Sequence, residues 1–258
     1  VIARAGAGYD NIDVDACSKK GIAVLITPAG NTNAVVELTM GLMLSFARHI
    51  PLANASMKEG RWDKKKLDGT EIKGKTLGTL GIGRIGAGVA ERCKVFGMRT
   101  IAYDKYVTQE RLNELGLDYV ELYEDLDKFL ADVDYLSLHI PVTPETTGML
   151  GKHQFEIMKK SAVLINCARG EVVNEQDLYH ALVNKDIAGA CMDVYSTEPA
   201  KKDTIPFIAL DNVVCTPHLG ASTDEAQINV AALAADQIGQ LLNEGKYIDC
   251  VNKKALNK

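Results

Sequence analysis

Three residues far apart in the chain form a coherent chemical set: Arg169 in Asn166-Cys167-Ala168-Arg169-Gly170, Glu198 in Tyr195-Ser196-Thr197-Glu198-Pro199, and His218 in Pro217-His218-Leu219-Gly220. Histidine titrates near neutral pH and can take the proton of a hydroxyl group. A carboxylate bonded to its other ring nitrogen orients the ring and fixes its tautomer. Arginine grips a carboxylate through two parallel hydrogen bonds and can polarise a neighbouring carbonyl. The set is suited to oxidising a hydroxyl beside a carboxylate, with His218 as base, Glu198 as its orienting partner and Arg169 on the substrate carboxylate. Taken singly, each residue has an ordinary structural explanation as a loop histidine, a turn arginine or a loop Glu-Pro. The catalytic reading depends on all three reaching one place, and on a hydride acceptor being there.

That acceptor is indicated by the stretch from Lys75 to Asp104. A run of small and β-branched residues, 76–82, leads into Gly81-Ile82-Gly83-Arg84-Ile85-Gly86, a G-x-G-x-x-G pattern that closes a strand and opens a helix. Gly81 permits the tight turn, Gly83 lets the backbone approach a pyrophosphate, and Gly86 lets the helix sit close to the strand. The helix N-terminus offers unpaired N–H groups and the positive end of its dipole. A second strand then delivers Asp104, eighteen residues past Gly86. An acid there accepts bonds from the ribose hydroxyls and repels a 2′-phosphate, so the expected cofactor is NAD rather than NADP.

The elements that must position these residues alternate regularly. Strands are expected at 76–82, 99–103, 118–121, 135–140, 162–168, 188–194 and 212–217, and helices at about 84–96, 108–115, 123–131, 151–159, 174–185 and 203–210. Such alternation implies an α/β fold with a doubly wound parallel sheet, covered on both faces. Ligands bind outside the carboxyl ends of such strands. There the sequence places His139-Ile140-Pro141 and Thr146, Cys167-Ala168-Arg169, Asp193 to Glu198, and Pro217 to Gly220. Asp193 is a candidate for the nicotinamide carboxamide. Asn174 and Asp177 stand at cap spacing, and Ser222 to Glu225 read as a capping box opening a long helix. The stretch 33–50, from Asn33 to Ile50, is apolar on most sides, which reads as a core helix that also serves a subunit interface. Residues 58–75 read as a polar connector holding the only tryptophan, Trp62.

Composition sets the outer bounds. At 258 residues, 47% hydrophobic and 24% charged, the chain can bury one sizeable core and a smaller unit. Its net charge of −5 argues against nucleic acid or an anionic membrane as a partner. No span or leader pattern appears, so a cytoplasmic location is expected. The six cysteines, Cys17, Cys93, Cys167, Cys191, Cys215 and Cys250, lack metal-site spacing, so no metal is expected. Core packing is the default for them, with Cys167 set aside because of its neighbours. The opening Val1 to Asp10 reads as a strand end and loop, as though the chain begins partway through a domain.

In LGIGRIG, INCARGEVVNE, DVYSTEP, CTPHLGASTDEAQ and the opening run from Arg4 to Asn11, the chain resembles the D-isomer-specific 2-hydroxyacid dehydrogenases. CTPHLGASTDEAQ, with GTEIKGKT before the glycine-loop strand, makes it most similar to the branch acting on a phosphorylated acid. The resemblance implies a Rossmann-type NAD domain over 28–221, with remnants of a flavodoxin-like substrate domain in 1–27 and 222–258. It assigns catalysis to Arg169, Glu198 and His218, and substrate binding to Arg4 together with Arg169 and His218. Cofactor contacts fall on Gly81, Gly83, Arg84, Ile85, Gly86, Asp104, Ile140, Thr146, Cys167, Asp193 and the turn of Leu219, Gly220 and Ala221, with His139, Pro141 and Ala168 beside them. It further implies a homodimer through Asn33 to Ile50, with Trp62 near the partner's site; the sequence departs from longer members of the family in reaching its end soon after Asn252, ahead of their C-terminal regulatory domains. A hydroxypyruvate or glyoxylate reductase is the neighbouring alternative; a non-enzymatic NAD-sensing corepressor is the alternative from another class.

Overall fold

The computed structural model describes residues 1–9 and 11–256; Asp10 lies outside the described residues. The chain begins β1 (Ile2–Arg4), α1 (Val14–Lys19), β2 (Val24–Ile26), α2 (Thr32–Ala47) and α3 (Ile50–Lys58). It continues β3 (Thr76–Leu80), α4 (Arg84–Val95), β4 (Arg99–Tyr103), α5 (Gln109–Glu114), β5 (Val120–Tyr123) and α6 (Leu126–Asp132). Next come β6 (Tyr135–Leu138), α7 (Lys152–Ile157), β7 (Val163–Asn166), α8 (Glu175–Asn184) and β8 (Gly189–Met192). The chain closes with β9 (Val213–Cys215), α9 (Asp224–Glu244) and α10 (Lys253–Leu256). Among the described residues no single helix is long and apolar enough to cross a membrane, and no group of three or more His, Cys, Asp or Glu could hold a metal ion.

Two compact units result, one of Val1–Val35 with Gly220–Lys258 and one of Val36–Leu219. In the first, β1 and β2 pair in parallel and α9 packs against both. Asn252 ties its two chain ends together: its side-chain oxygen accepts from the Val24 amide at 2.9 Å, and its amide donates to Ile22 O at 2.9 Å. The approach to α2 belongs to this unit because Gly30 lies against Val230, where a Cβ would meet the valine backbone at 3.0 Å.

The second unit is a seven-stranded, all-parallel sheet in the order β5-β4-β3-β6-β7-β8-β9. Its chain starts at the middle, runs outward through β4 and β5, and crosses back to β6, so the winding reverses between β3 and β6. Side chains alternate between the faces, as a strand requires. Tyr135, Val163, Ile165 and Cys191 join the apolar layer with Met40, Met43, Val89 and Cys93. Leu136, Leu138, Leu164 and Met192 join the layer with Phe129, Phe155, Leu178 and Phe207. The register then decides function: Leu80 pairs with Tyr103 and with Leu138, Leu138 with Asn166, Asn166 with Met192, and Met192 with Cys215. Tyr103 pairs with Tyr123 as well, so all seven strands end on one line, and the loops that follow them share one edge.

Several local expectations are corrected. The helix expected over 33–50 runs Thr32–Ala47 and breaks at His49, whose φ is +51°. Pro51 then sits in the first turn of α3, where a missing N–H costs nothing. That second helix, Ile50–Lys58, was not expected from the sequence. The helix expected at 203–210 is only a 3-10 turn, Pro206–Ala209. The long helix is capped one residue later than expected, by Thr223, whose hydroxyl accepts from the Ala226 amide at 3.1 Å. That leaves an alanine at the third helical position, so the reciprocal half of a capping box cannot form. Cys215 is exposed rather than packed in the core, because β9 is an edge strand.

Candidate active site

The glycine loop stands where the winding reverses. Gly81 has φ +90°, and a Cβ there would meet the His139 carbonyl oxygen at 2.7 Å. A Cβ on Gly86 would meet Gly81 O at 2.2 Å, so α4 and the turn touch backbone to backbone. Gly83 differs: a Cβ there would meet nothing within 4 Å. It opens α4 with no side chain capping the helix. The open space over Gly83 and the uncapped start of α4 fit a phosphate group.

Asp104 faces the same loop. One carboxylate oxygen accepts from the Ile82 amide at 3.0 Å and the other from Tyr106 at 2.9 Å. A carboxylate has about four acceptor sites, so the group is fixed in place and still able to take ribose hydroxyls. His139 props the loop from below, its ring nitrogen 2.9 Å from Ser137 Oγ. Burial lowers its pKa to about 3, so the ring is neutral near physiological pH. Ile140 packs its methyl against the Gly81 turn. The following loop is held by Thr146, which donates to Pro141 O at 2.7 Å and accepts from the Thr143 amide at 2.7 Å.

After β7, Asn166 shapes the next loop, accepting from the Ala168 amide at 3.0 Å and donating to Arg169 O at 2.9 Å. Arg169 Nη1 donates to Ala168 O at 2.7 Å. Cys167, beneath, is pushed up to about 12 by burial and remains a thiol. After β8, the fully buried Asp193 reaches across to the loop after β9. Its Oδ1 accepts from Thr216 Oγ1 at 2.6 Å and from the Leu219 amide at 2.7 Å. Those two bonds bracket His218, whose φ of +56° is unusual for a side-chain-bearing residue.

His218 Nδ1 lies 2.8 Å from Glu198 Oε2, and the other Glu198 oxygen accepts from the Tyr195 amide at 3.2 Å. An ionised carboxylate can only accept, so the proton belongs on Nδ1 and the lone pair on Nε2. The half-exposed His218 is thus a ready proton acceptor. A cavity of about 560 Å³ adjoins the pair, walled by Tyr195, Pro199, Ala200, Ile208 and Cys215.

Of the residues singled out in the sequence, the sheet edge gathers Gly81, Gly83, Arg84, Ile85, Gly86, Asp104, His139, Ile140, Pro141, Thr146, Cys167, Ala168, Arg169, Asp193, Glu198, His218 and Leu219 in one unit. Arg4, Gly220 and Ala221 belong to the other. There, Arg4 donates to Gly8 O at 3.1 Å and to Ala5 O at 2.8 Å. Sequence reasoning missed Asn166, Thr216 and Tyr195, which hold the site together. Their signal was position: each sits at or just past a strand end.

Residues 40–220 match the family described as D-isomer specific 2-hydroxyacid dehydrogenase, NAD binding domain, and the chain belongs to that family. Among its relatives, the D-3-phosphoglycerate dehydrogenase of Methanocaldococcus jannaschii is 48% identical over 94% of this chain and 45% of that protein. The chain spans about half the length of the curated relatives it matches. A glyoxylate reductase from Paecilomyes thermophila superposes with a TM-score of 0.89 at 31% identity, covering 98% of this chain and 76% of that one. The NAD-complexed D-isomer specific 2-hydroxyacid dehydrogenase of Lactobacillus delbrueckii ssp. bulgaricus superposes with a TM-score of 0.81 at 30% identity, covering 97% and 78%.

Proposed function

We propose that the protein oxidises the C2 hydroxyl of 3-phospho-D-glycerate to 3-phosphohydroxypyruvate with NAD, the entry step of serine synthesis. The observation that carries this reading is the 2.8 Å His218–Glu198 pair on the same sheet edge as the glycine loop. The likeness to D-3-phosphoglycerate dehydrogenases supports the choice of substrate. NAD, when bound, supplies the hydride acceptor. Gly81 to Gly86 hold its pyrophosphate and Asp104 the adenosine ribose. Nε2 of His218 takes the hydroxyl proton, and the imidazolium that forms is stabilised by Glu198 across the existing hydrogen bond. Arg169 grips the substrate carboxylate and fixes C2 relative to His218.

In the same reading, the unit of Val36–Leu219 is the cofactor domain and the other belongs to the substrate domain. The protein is a cytoplasmic homodimer joined through Asn33 to Ile50. The exposed Trp62, with 78% of its surface accessible, lies toward the partner. Formation of NADH by the full-length protein, followed by absorbance across a panel of 2-hydroxy acids, tests the proposal. Turnover of 3-phosphoglycerate is expected. Turnover of an unphosphorylated acid alone would overturn the substrate and favour a glyoxylate or hydroxypyruvate reductase. No NADH formation with any acid would overturn the enzymatic reading.

A further inference from the structure

Two of the loops that carry the proposed chemistry are joined by a residue outside the catalytic set. Glu175 is the first residue of α8, directly after its Asn174 cap. Its carboxylate accepts two hydrogen bonds from a single residue in another loop: the Ser196 amide at 2.8 Å and the Ser196 hydroxyl at 2.5 Å. Bonds to an ionised acceptor are about twice as strong as neutral ones, and a two-point contact fixes direction as well as distance. Ser196 lies two residues before Glu198, and Tyr195 beside it donates its amide to Glu198 at 3.2 Å. The two bonds therefore hold the peptide next to the one whose N–H orients Glu198 and, through it, His218.

The other end of the link reaches Arg169. Gly170 follows Arg169 and is buried against the Tyr195–Ser196 peptide: a Cβ there would meet Tyr195 C at 2.0 Å and Ser196 N at 2.4 Å. The Arg169 loop and the Glu198 loop are thus in backbone contact. The short segment from Gly170 to the start of α8 brings Glu175 round to close the contact from its other side.

We propose that Glu175 is a positioning residue: by bonding Ser196 twice it holds the Arg169 and Glu198 loops as one rigid piece beside His218. This rests on the function proposed above for the set it positions. It assigns Glu175 no contact with substrate or cofactor.

The test compares the full-length protein with Glu175→Ala and with Ser196→Ala, which removes one of the two bonds at an exposed position without touching the helix. Misplacement of a catalytic group by about an ångström costs rate on the order of 100-fold, so kcat is expected to fall at least about tenfold in Glu175→Ala. NADH affinity should stay within about threefold, since Glu175 touches neither the glycine loop nor Asp104, while the substrate KM should rise with the loosened Arg169 loop. The same substitution made in Glu198→Gln should cost clearly less than it does alone, because the part of its effect that runs through Glu198 is already lost. Losses that multiply in the double variant, or an unchanged kcat, would overturn the proposal. Amide hydrogen exchange over Tyr195 to Glu198 needs no turnover. It should quicken about tenfold in Glu175→Ala, and unchanged exchange would likewise overturn the lock. If the unsubstituted protein fails to form NADH, the proposed function falls, and the exchange comparison alone then decides whether Glu175 holds the loops.

Discussion

Replacing Gly83 and Gly86 by alanine, one at a time, should separate binding from folding within a single turn of chain. At Gly86 the added methyl meets the Gly81 carbonyl oxygen at 2.2 Å, a backbone atom that can move only if β3 or α4 moves with it. Forcing atoms into a packed core costs typically 1–3 kcal/mol, and the backbone character of this clash puts it at the upper end, about 3 kcal/mol. For a unit of this size about 1 kcal/mol lowers Tm by roughly 2–4 °C, so a loss of about 6–12 °C is expected. At Gly83 the methyl meets nothing within 4 Å, and φ of −70° suits any residue. Alanine is a poorer N-cap than glycine, but only by about 0.5 kcal/mol, so Tm should move by about 2 °C or less. That methyl would instead occupy the space proposed for the pyrophosphate, and NADH affinity should fall at least about tenfold. Scanning calorimetry and NADH fluorescence titration read the two effects separately. Equal loss of Tm in both variants, or normal NADH binding by Gly83→Ala, would refute the assignment of the open cradle to phosphate.

His218→Ala should abolish substrate-dependent NADH formation while NADH titration remains normal; measurable turnover near the unsubstituted rate would remove His218 as base. Asp193→Ala should cost about 2–4 kcal/mol by stranding the Thr216 hydroxyl and the Leu219 amide, and should lower kcat by releasing the strained His218 backbone; denaturant unfolding and initial rates check this. His139, held down to about 3 by burial, binds a proton in the unfolded state well before it does in the folded state. Stability should therefore fall as pH drops from about 6.5 toward 3, by up to about 1.4 kcal/mol per pH unit. His139→Asn should flatten that part of the stability curve, and an unchanged slope would show that the ring is not kept neutral. Iodoacetamide should modify the exposed Cys215 in the folded protein, while the buried Cys93 and Cys191 react only after unfolding, as peptide mass spectrometry would register.

The sequence by itself determined the alternation of strand and helix, because apolar runs of strand length bounded by glycines and caps have few other solutions. It also placed the glycine turn, since Gly81 needs a left-handed φ and Gly86 tolerates no side chain. Arg169, Glu198 and His218 were legible only as types that belong together. Local pattern was weaker where competing signals overlapped. The break at His49 and the helix after it were hidden by a continuous apolar run, and a proline reduced the 203–210 segment to one turn. What only the tertiary structure decided is the register, which ends all seven strands on one line. That alignment turns residues 21 to 26 positions apart into neighbours: Asp193 bonds the loop around His218, and Glu175 reaches Ser196. Hydrogen bonds are satisfied by whichever group the fold brings within about 3 Å, and distance along the chain carries no information about that.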